Sequence, residues 1–197
     1  VIKYSIWYIP LENIFKGYLL IFQITMIILV SSKNIIGIYI GWEWVGIMSY
    51  ILISYWYRNI MNIKSGMKAI IYNKIGDIGY ILLINHILYT SDNNYSTMNY
   101  TYKYNTDMEN IIYNIVPVYI MIASMAKSAQ YIMHPWLGDA MAGPTPVSAL
   151  LHAATMVTAG IVLINRTILY NSNLWDYILY IGIITIIFGG LVGIVQN

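Results

Sequence analysis

The chain has 197 residues, a formal net charge of +2, 59% hydrophobic residues and only 9% charged residues. A soluble domain of this size needs a charged surface, so the composition predicts a membrane protein. The sequence contains no Cys, which excludes disulfide bonds, thiolate catalysis and iron–sulfur ligation by these residues. It also lacks a dense basic cluster, so no nucleic-acid partner is expected.

The N-terminal residues begin with Val1 rather than Met, and they show neither a signal-peptide layout nor an Arg- and Ser-rich transit-peptide pattern. We therefore expect a chain that is processed, trimmed or unusually initiated. The abundance of Ile, Tyr and Asn is typical of an AT-rich coding genome, and it favours an organelle-encoded protein.

Six apolar segments are candidates for membrane-spanning helices, each of which needs about 20 mostly apolar residues. They are residues 17–30, 35–56, 69–89, 111–133, 146–163 and 175–195. The first is short unless it extends toward Leu11, and the polar stretches 58–68 and 91–110 read as connections. The fourth runs into Pro135, so its helix is expected to break or kink there. The predicted fold is an all-α, polytopic transmembrane bundle of about six spans, forming a single domain over residues 1–197.

Four of these spans carry ionisable side chains near membrane depth: Glu43, Lys74 with Asp77, Lys127, and His152. A charge at the bilayer centre costs about 2.5–3.5 kcal/mol on insertion scales, so such residues usually face a bundle interior and handle ions or protons. Alternating crossings place five Lys and Arg residues on one side of the membrane and three on the other. The side with more basic residues is predicted to be the cytoplasm- or matrix-like side, and it carries Lys3, Lys16, Arg58, Lys64 and Lys68.

Glu43 and Lys127 each allow two interpretations. Glu43 lies on a polar stripe of its helix, where it is either a proton-handling acid or a neutral, hydrogen-bonded residue that fixes helix packing. Lys127 either holds and releases a proton as a neighbouring charge moves, or snorkels to the interface. Its expected helical face includes Ser124, Gln130, Tyr131 and His134.

His152 and the Lys74–Asp77 pair also remain open. His152 shares a face with small and hydroxyl residues, and is either a proton relay or a structural histidine. Lys74 and Asp77 are three residues apart, so they form either a self-neutralised pair or part of a transport path. A metal site that combines His152 with His134 and Asp139 is not favoured, because the spacing matches no usual ligand pattern.

Several motifs occur in a specific order along the chain. They are GWEWVGIMSY at 41–50, YNKIGDIG at 72–79, AKSAQ at 126–130, WL at 136–137 and GPTPVSALLHAATMVTAG at 143–160. Together they resemble the chain 5 family of NADH:ubiquinone oxidoreductase, respiratory complex I, of the mitochondrial type. The resemblance runs from about Phe15 to Asn197.

The resemblance implies an antiporter-like, multi-pass subunit of the mitochondrial inner membrane that takes part in proton translocation coupled to electron transfer from NADH to ubiquinone. The family's central Glu and the Lys of its broken helix fall on Glu43 and Lys127, its relay His on His152, and the acid of its Gly-Asp motif on Asp77. Separation of the Glu–Lys pair would change the proton affinity of the Lys and pass a proton toward the His.

The resemblance also carries expectations about cofactors and partners. No cofactor is expected on this chain, since NADH, FMN, iron–sulfur clusters and ubiquinone would belong to other subunits. The implied partners are other complex I subunits, including antiporter-like ones, and lipids.

The sequence departs from the family pattern at Trp44, where a small residue is usual, and at Pro135 and Gly138, where Thr and Pro are common. We therefore expect altered packing near Glu43 and a different shape of the helix break. Family members also have more than twice as many spans, so this chain corresponds to the first half-channel. We expect either a split gene, with a separate chain that carries the C-terminal half, or a fragment.

Two other functions remain as alternatives. One is a subunit of a multi-chain sodium/proton antiporter, which Thr158 disfavours because those relatives usually carry Lys there. The other is a structural remnant that scaffolds the membrane arm, which the presence of Glu43, Lys127 and His152 disfavours.

Overall fold

A computed structural model describes residues 13–90, 109–167 and 174–195 of the chain. These residues form helices, with no strand among them, as an all-α bundle predicts. The helices are α1 (Asn13–Ser31), α2 (Ile35–Ile53), α3 (Ile60–Thr90), α4 (Glu109–Lys127), α5 (Pro135–Asp139), α6 (Thr145–Ser148), α7 (Met156–Thr167) and α8 (Leu174–Val195). A 3-10 turn, Ala140–Ala142, follows α5, and a π-helical segment, Ala149–Thr155, joins α6 to α7.

The six predicted spans correspond to α1, α2, α3, α4, the stretch Thr145–Thr167 and α8. The stretch Thr145–Thr167 consists of α6, the π-helical segment and α7. Four of the six are long and apolar enough to cross a membrane by length and composition, namely Asn13–Ser31, Ile35–Ile53, Thr145–Thr167 and Leu174–Ile194. In α4 the apolar part is shorter, Ile115–Lys127. The helix α1 begins four residues before the predicted span, because the apolar pattern continues through Phe15, which is buried.

The prediction that residues 58–68 form a connection was wrong for most of that stretch. Helix α3 begins at Ile60 and runs without interruption to Thr90. The Asn59 side chain caps its first turn, since its Oδ1 accepts the backbone N–H of Met61 at 3.0 Å. No Pro follows within α3, so a basic but helix-compatible sequence simply continues the helix.

The expected break in the fourth span is present, but it lies earlier than predicted. Helix α4 ends at Lys127, and Pro135 is the first residue of α5 rather than the point of breakage. Between them Ala129 and Ile132 adopt positive φ values of 49° and 75°. Pro135 suits the first turn of a helix, where its missing N–H needs no partner, and His134 before it already has helical dihedral angles, so a new helix begins at this point. The helical face proposed for Lys127, Gln130 and His134 therefore does not exist.

The core of the bundle is built where α3 packs between α2 and α4, and where α7 packs against α4. Helices α3 and α4 approach each other closely at Gly76, where an added Cβ would lie 2.3 Å from the Cβ of Ala126. Only a residue without a side chain permits this distance. Gly76 therefore brings the neighbouring Asp77 next to the last turn of α4, which carries Lys127.

Two expectations about packing can be compared with the structure. Trp44 is exposed and points away from the core, so the anticipated change of packing at Glu43 is not seen. A Cβ at Gly138 would meet nothing within 4 Å, so a Pro-sized residue is not excluded there by contact.

The close α3–α4 contact makes Gly76→Ala a test of the packing. The added methyl group must push the two helices apart, so we expect a loss of about 1–3 kcal/mol in stability, seen as a lower thermal inactivation temperature of the membrane protein. Gly17→Ala is the matched control, because nothing lies within 4 Å of its Cβ position. Equal stability of the two variants would contradict the packing described here.

Candidate functional site

The acidic end of the site is a hydrogen-bonded ion pair between α2 and α3. Glu43 lies in the middle of α2, and its Oε1 accepts the hydroxyl of Tyr39, one turn earlier, at 2.6 Å. Its other oxygen, Oε2, accepts a hydrogen bond from Lys74 Nζ of α3. Both carboxylate oxygens are thus satisfied by protein groups, which is the arrangement that a charged carboxylate requires at membrane depth.

Lys74 is placed between two acids. Its ammonium binds Glu43 across the helix interface and lies 3.6 Å from Asp77 Oδ2, one turn along α3. The side chain of Lys74 is 52% exposed, whereas that of Asp77 is 4% exposed. The i,i+3 pair that the sequence suggested is therefore present, but the shorter contact of Lys74 is with Glu43.

Asp77 has a second, fully buried partner. Its Oδ1 accepts the indole N–H of Trp42 at 3.0 Å, and Trp42 has no exposed surface. Tyr80 packs against both Trp42 and Tyr39, with ring centroids 5.5 and 5.3 Å apart. This aromatic wall excludes lipid and water from one side of the two carboxylates and strengthens the electrostatic interactions there.

Lys127 ends α4 as one of the largest fully buried side chains of the described residues, with 1% exposure. Its Nζ donates to the backbone carbonyl of Trp42 at 3.2 Å and lies 5.4 Å from the centroid of the Trp42 ring. A Cβ at Gly46 would come within 3.0 Å of the ammonium, so Gly46 leaves the space that Lys127 occupies. The snorkelling interpretation is therefore wrong, because this side chain points into the bundle.

The sequence predicts that Glu43 and Lys127 lie within interaction range, directly or through water, and of these two a direct pair is not formed. Within the described part of the chain, no carboxylate lies within 4.0 Å of the Lys127 ammonium, and Glu43 is paired with Lys74 instead. Trp42, which precedes Glu43 in the chain and contacts Lys127, connects the two residues. Successive residues of a helix point about 100° apart, and the Glu43 side chain is directed to Lys74 of α3, whereas Lys127 of α4 meets the carbonyl and ring of Trp42.

The role predicted for His152 in this cluster stays a prediction, and the metal alternative concerns different residues. The backbone of His152 belongs to the π-helical segment Ala149–Thr155, but its side chain lies outside the part that the structure describes. Asp139 forms an ion pair of 2.6 Å with Lys68 near the start of α3. No group of three potential metal ligands is found among the described residues.

Sequence reasoning missed the two residues that connect the cluster, Trp42 and Lys74. The sequence indicates Lys74 as a partner of Asp77, but its contact with Glu43 is not visible in the sequence because Glu43 lies on another helix. Trp42 was hidden in an apolar span, where an aromatic residue reads as core. The one available signal was its position directly before Glu43, in the GWE motif.

Glu43 and Lys74 open onto a groove on the outer side of α3. The groove has a volume of about 490 Å³, and apart from Glu43, Lys74 and Asp77 it is lined by isoleucines: Ile70, Ile71, Ile75, Ile78 and Ile81. A half-exposed ammonium among apolar side chains is costly against lipid, so this face is suited to contact with another protein or with water.

The sequence family described as NADH:quinone oxidoreductase/Mrp antiporter, TM, matches residues 32–197 of this chain. This range contains every residue of the cluster. The chain belongs to the NADH:quinone oxidoreductase/Mrp antiporter transmembrane family.

Individual relatives agree with this membership. The chain is 42% identical to NADH-ubiquinone oxidoreductase chain 5 of Pseudosoriculus fumidus, covering 100% of this chain and 32% of the relative. It is 46% identical to chain 5 of Wickerhamomyces canadensis, covering 93% of this chain and 29% of the relative. The chain thus spans about a third of the length of these curated relatives, and the resemblance to chain 5 drawn from the motifs is confirmed.

A solved structure shares the fold. The Mrp complex from Dietzia sp. contains a chain that superposes with a TM-score of 0.71 and 26% sequence identity, covering 83% of this chain and 18% of that chain. This chain therefore shares its helical fold with a chain of the Mrp complex, and the predicted all-α bundle is confirmed.

The Glu43–Lys74 contact predicts a coupled effect of two substitutions. Lys74→Gln leaves Glu43 without its cationic partner, so we expect a loss of about 1–3 kcal/mol in stability. Glu43→Gln in the same chain should recover most of that loss, because the carboxylate that Lys74 binds most closely is then neutral, while Asp77 keeps the indole N–H of Trp42. The measurement is the thermal inactivation temperature of membranes that carry each variant.

Lys68→Gln serves as the control for this pair. Its partner Asp139 is half-exposed, so solvent screens the lost charge, and we expect a change of about 0–1 kcal/mol. An additive rather than compensating effect of the Lys74 and Glu43 substitutions would rule out the ion pair.

Proposed function

We propose that this chain is a proton-translocating part of the membrane arm of NADH:ubiquinone oxidoreductase. The observation that carries the proposal is a fully buried Lys127 linked, through Trp42, to the pair of carboxylates at Glu43 and Asp77. Titratable groups this deep in a membrane bundle mark ion or proton pathways. The similarity to chain 5 relatives of the same name supports the complex in which this happens.

The charge balance of the cluster explains how it could move a proton. Two carboxylates, Glu43 and Asp77, face two ammonium groups, Lys74 and Lys127, so the fully ionised cluster is neutral. Loss of the proton from Lys127 would leave one uncompensated negative charge in a low-dielectric site, which favours uptake of another proton. Displacement of Lys74 between Glu43 and Asp77, both within its reach, would set the potential that Lys127 feels.

A route for the proton is supported by buried polar atoms near the end of α4. The side-chain amide of Asn73, Oε1 of Gln130 and Nδ1 of His134 are buried and have no protein hydrogen-bond partner among the described residues. Buried polar groups are nearly always bonded, so these atoms are suited to ordered water. The irregular segment 128–134, which contains two of them, lies directly after Lys127.

The chain would act as part of a larger assembly in the mitochondrial inner membrane. The proposed partners are other complex I subunits, including antiporter-like ones, and a separate chain that corresponds to the C-terminal half of the family's longer members. Electron transfer from NADH to ubiquinone would take place on those other subunits, with its energy reaching this chain through electrostatic and conformational coupling.

Lys127→Met tests the proposal. Met keeps the long apolar stem and removes the titratable group, so we expect normal assembly but a lower proton-to-electron ratio in vesicles that contain the complex. Lys64→Met is the control, because Lys64 is exposed on α3 and should leave the ratio unchanged.

Two results would contradict the proposal. An unchanged ratio in Lys127→Met complexes would favour the structural-remnant alternative. Co-purification of the chain with sodium/proton antiport activity, but without NADH dehydrogenase activity, would favour the antiporter alternative.

A further inference from the structure

Trp42 is a buried aromatic residue of the core that touches two ionisable groups at once. Its backbone carbonyl accepts Lys127 Nζ at 3.2 Å, and the same ammonium lies 5.4 Å from its ring centroid. Its indole N–H donates to Asp77 Oδ1 at 3.0 Å. One side chain therefore lies between the buried cation and the buried carboxylate.

The contacts of Lys127 are unusual for a buried ammonium. Such a group normally requires a carboxylate partner, and none of the described residues supplies one within 4.0 Å. A carbonyl dipole and the negative face of an indole ring replace it here, and both are contributed by Trp42. Cation–π attraction becomes substantial when the cation is desolvated, as this one is.

From this geometry we propose that Trp42 is a positioning residue that couples the charge state of Lys127 to Asp77. The proposal rests on the proposed function of Lys127. A charged Lys127 is attracted to the ring and the carbonyl, which holds the indole in the orientation that directs its N–H at Asp77. When Lys127 loses its charge, the attraction between its amine and the Trp42 ring is lost. Asp77 is then the remaining polar partner of the Trp42 side chain.

Trp136 shows what an indole does in this core when it serves packing. It is as completely buried as Trp42, and its N–H donates to the backbone carbonyl of Ala126 at 3.1 Å. That bond ties α5 to the end of α4, and its acceptor is a backbone carbonyl rather than a side chain. Trp136 is therefore a matched control, with the same residue type, the same burial and a lost donor of the same kind.

The experiment compares Trp42→Phe, Asp77→Asn and the double variant in the assembled complex, with the proton-to-electron ratio in vesicles as the readout. Phe keeps an aromatic face toward Lys127 and removes the N–H donor. We expect Trp42→Phe to lower the ratio in complexes that assemble and oxidise NADH normally. We expect no further decrease when Trp42→Phe is made in the Asp77→Asn chain. In that chain the carboxylate that the indole N–H binds is already absent, so removing the N–H changes nothing more.

Trp136→Phe is measured in the same two backgrounds. It should reduce stability without changing the ratio, with or without Asp77→Asn. If Trp42→Phe does not assemble, Trp42→Tyr is measured in its place; its hydroxyl does not occupy the position of the indole N–H, so the same decrease in the ratio is expected.

The outcomes separate this inference from the proposed function. Coupling through Trp42 is supported if Trp42→Phe lowers the ratio in the otherwise unchanged chain but causes no further decrease in the Asp77→Asn chain. An unchanged ratio, or a decrease that adds to that of Asp77→Asn, overturns it. If Lys127→Met lowers the ratio while the Trp42 variants do not, only the role of Trp42 fails; if Lys127→Met leaves the ratio unchanged, the proposed function itself fails.

Discussion

Burial of the Lys127 ammonium is the constraint on which the site depends. A cation with 1% exposure has lost its hydration, and the surrounding helices must replace it. The carbonyl and the ring of Trp42 replace part of this hydration, and Gly46 leaves the space on α2 that the ammonium occupies. The last turn of α4 therefore fits only against this part of α2.

The same constraint links the helix break to the charges. A longer α4 would carry the polar residues Ser128 and Gln130 directly after Lys127. Instead the chain turns away through two left-handed residues and begins α5 at Pro135. Helix termini leave carbonyl groups without intrahelical partners, and the negative end of the helix dipole lies at Lys127. The break thus adds a favourable electrostatic term to an otherwise expensive buried cation.

On α3 the charged residues face two different environments. Asp77 borders the groove but is almost fully buried, and its Oδ1 accepts the indole N–H of Trp42, while Lys74, one turn away, is half-exposed in the groove and binds Glu43. An ion pair with one half-exposed member is easier to rearrange than a fully enclosed one, because solvent or a neighbouring chain can replace part of the contact. The position of Lys74 is therefore the adjustable part of the cluster, and Trp42 and Asp77 are the fixed part.

The sequence by itself determined the class of protein, the number of long helices, the four charged positions and the family, because hydrophobic length, scarce charges and ordered motifs are local properties of the chain. It also indicated a break near Pro135 and the contact between Lys74 and Asp77, since both follow from spacing along one helix. Only the tertiary structure decided that α4 stops at Lys127, that Glu43 pairs with Lys74 and that Trp42 lies between Lys127 and Asp77. Those facts depend on the rotation and distance of three helices, which Gly76 and Gly46 allow to approach closely, and no pattern within a single helix specifies them.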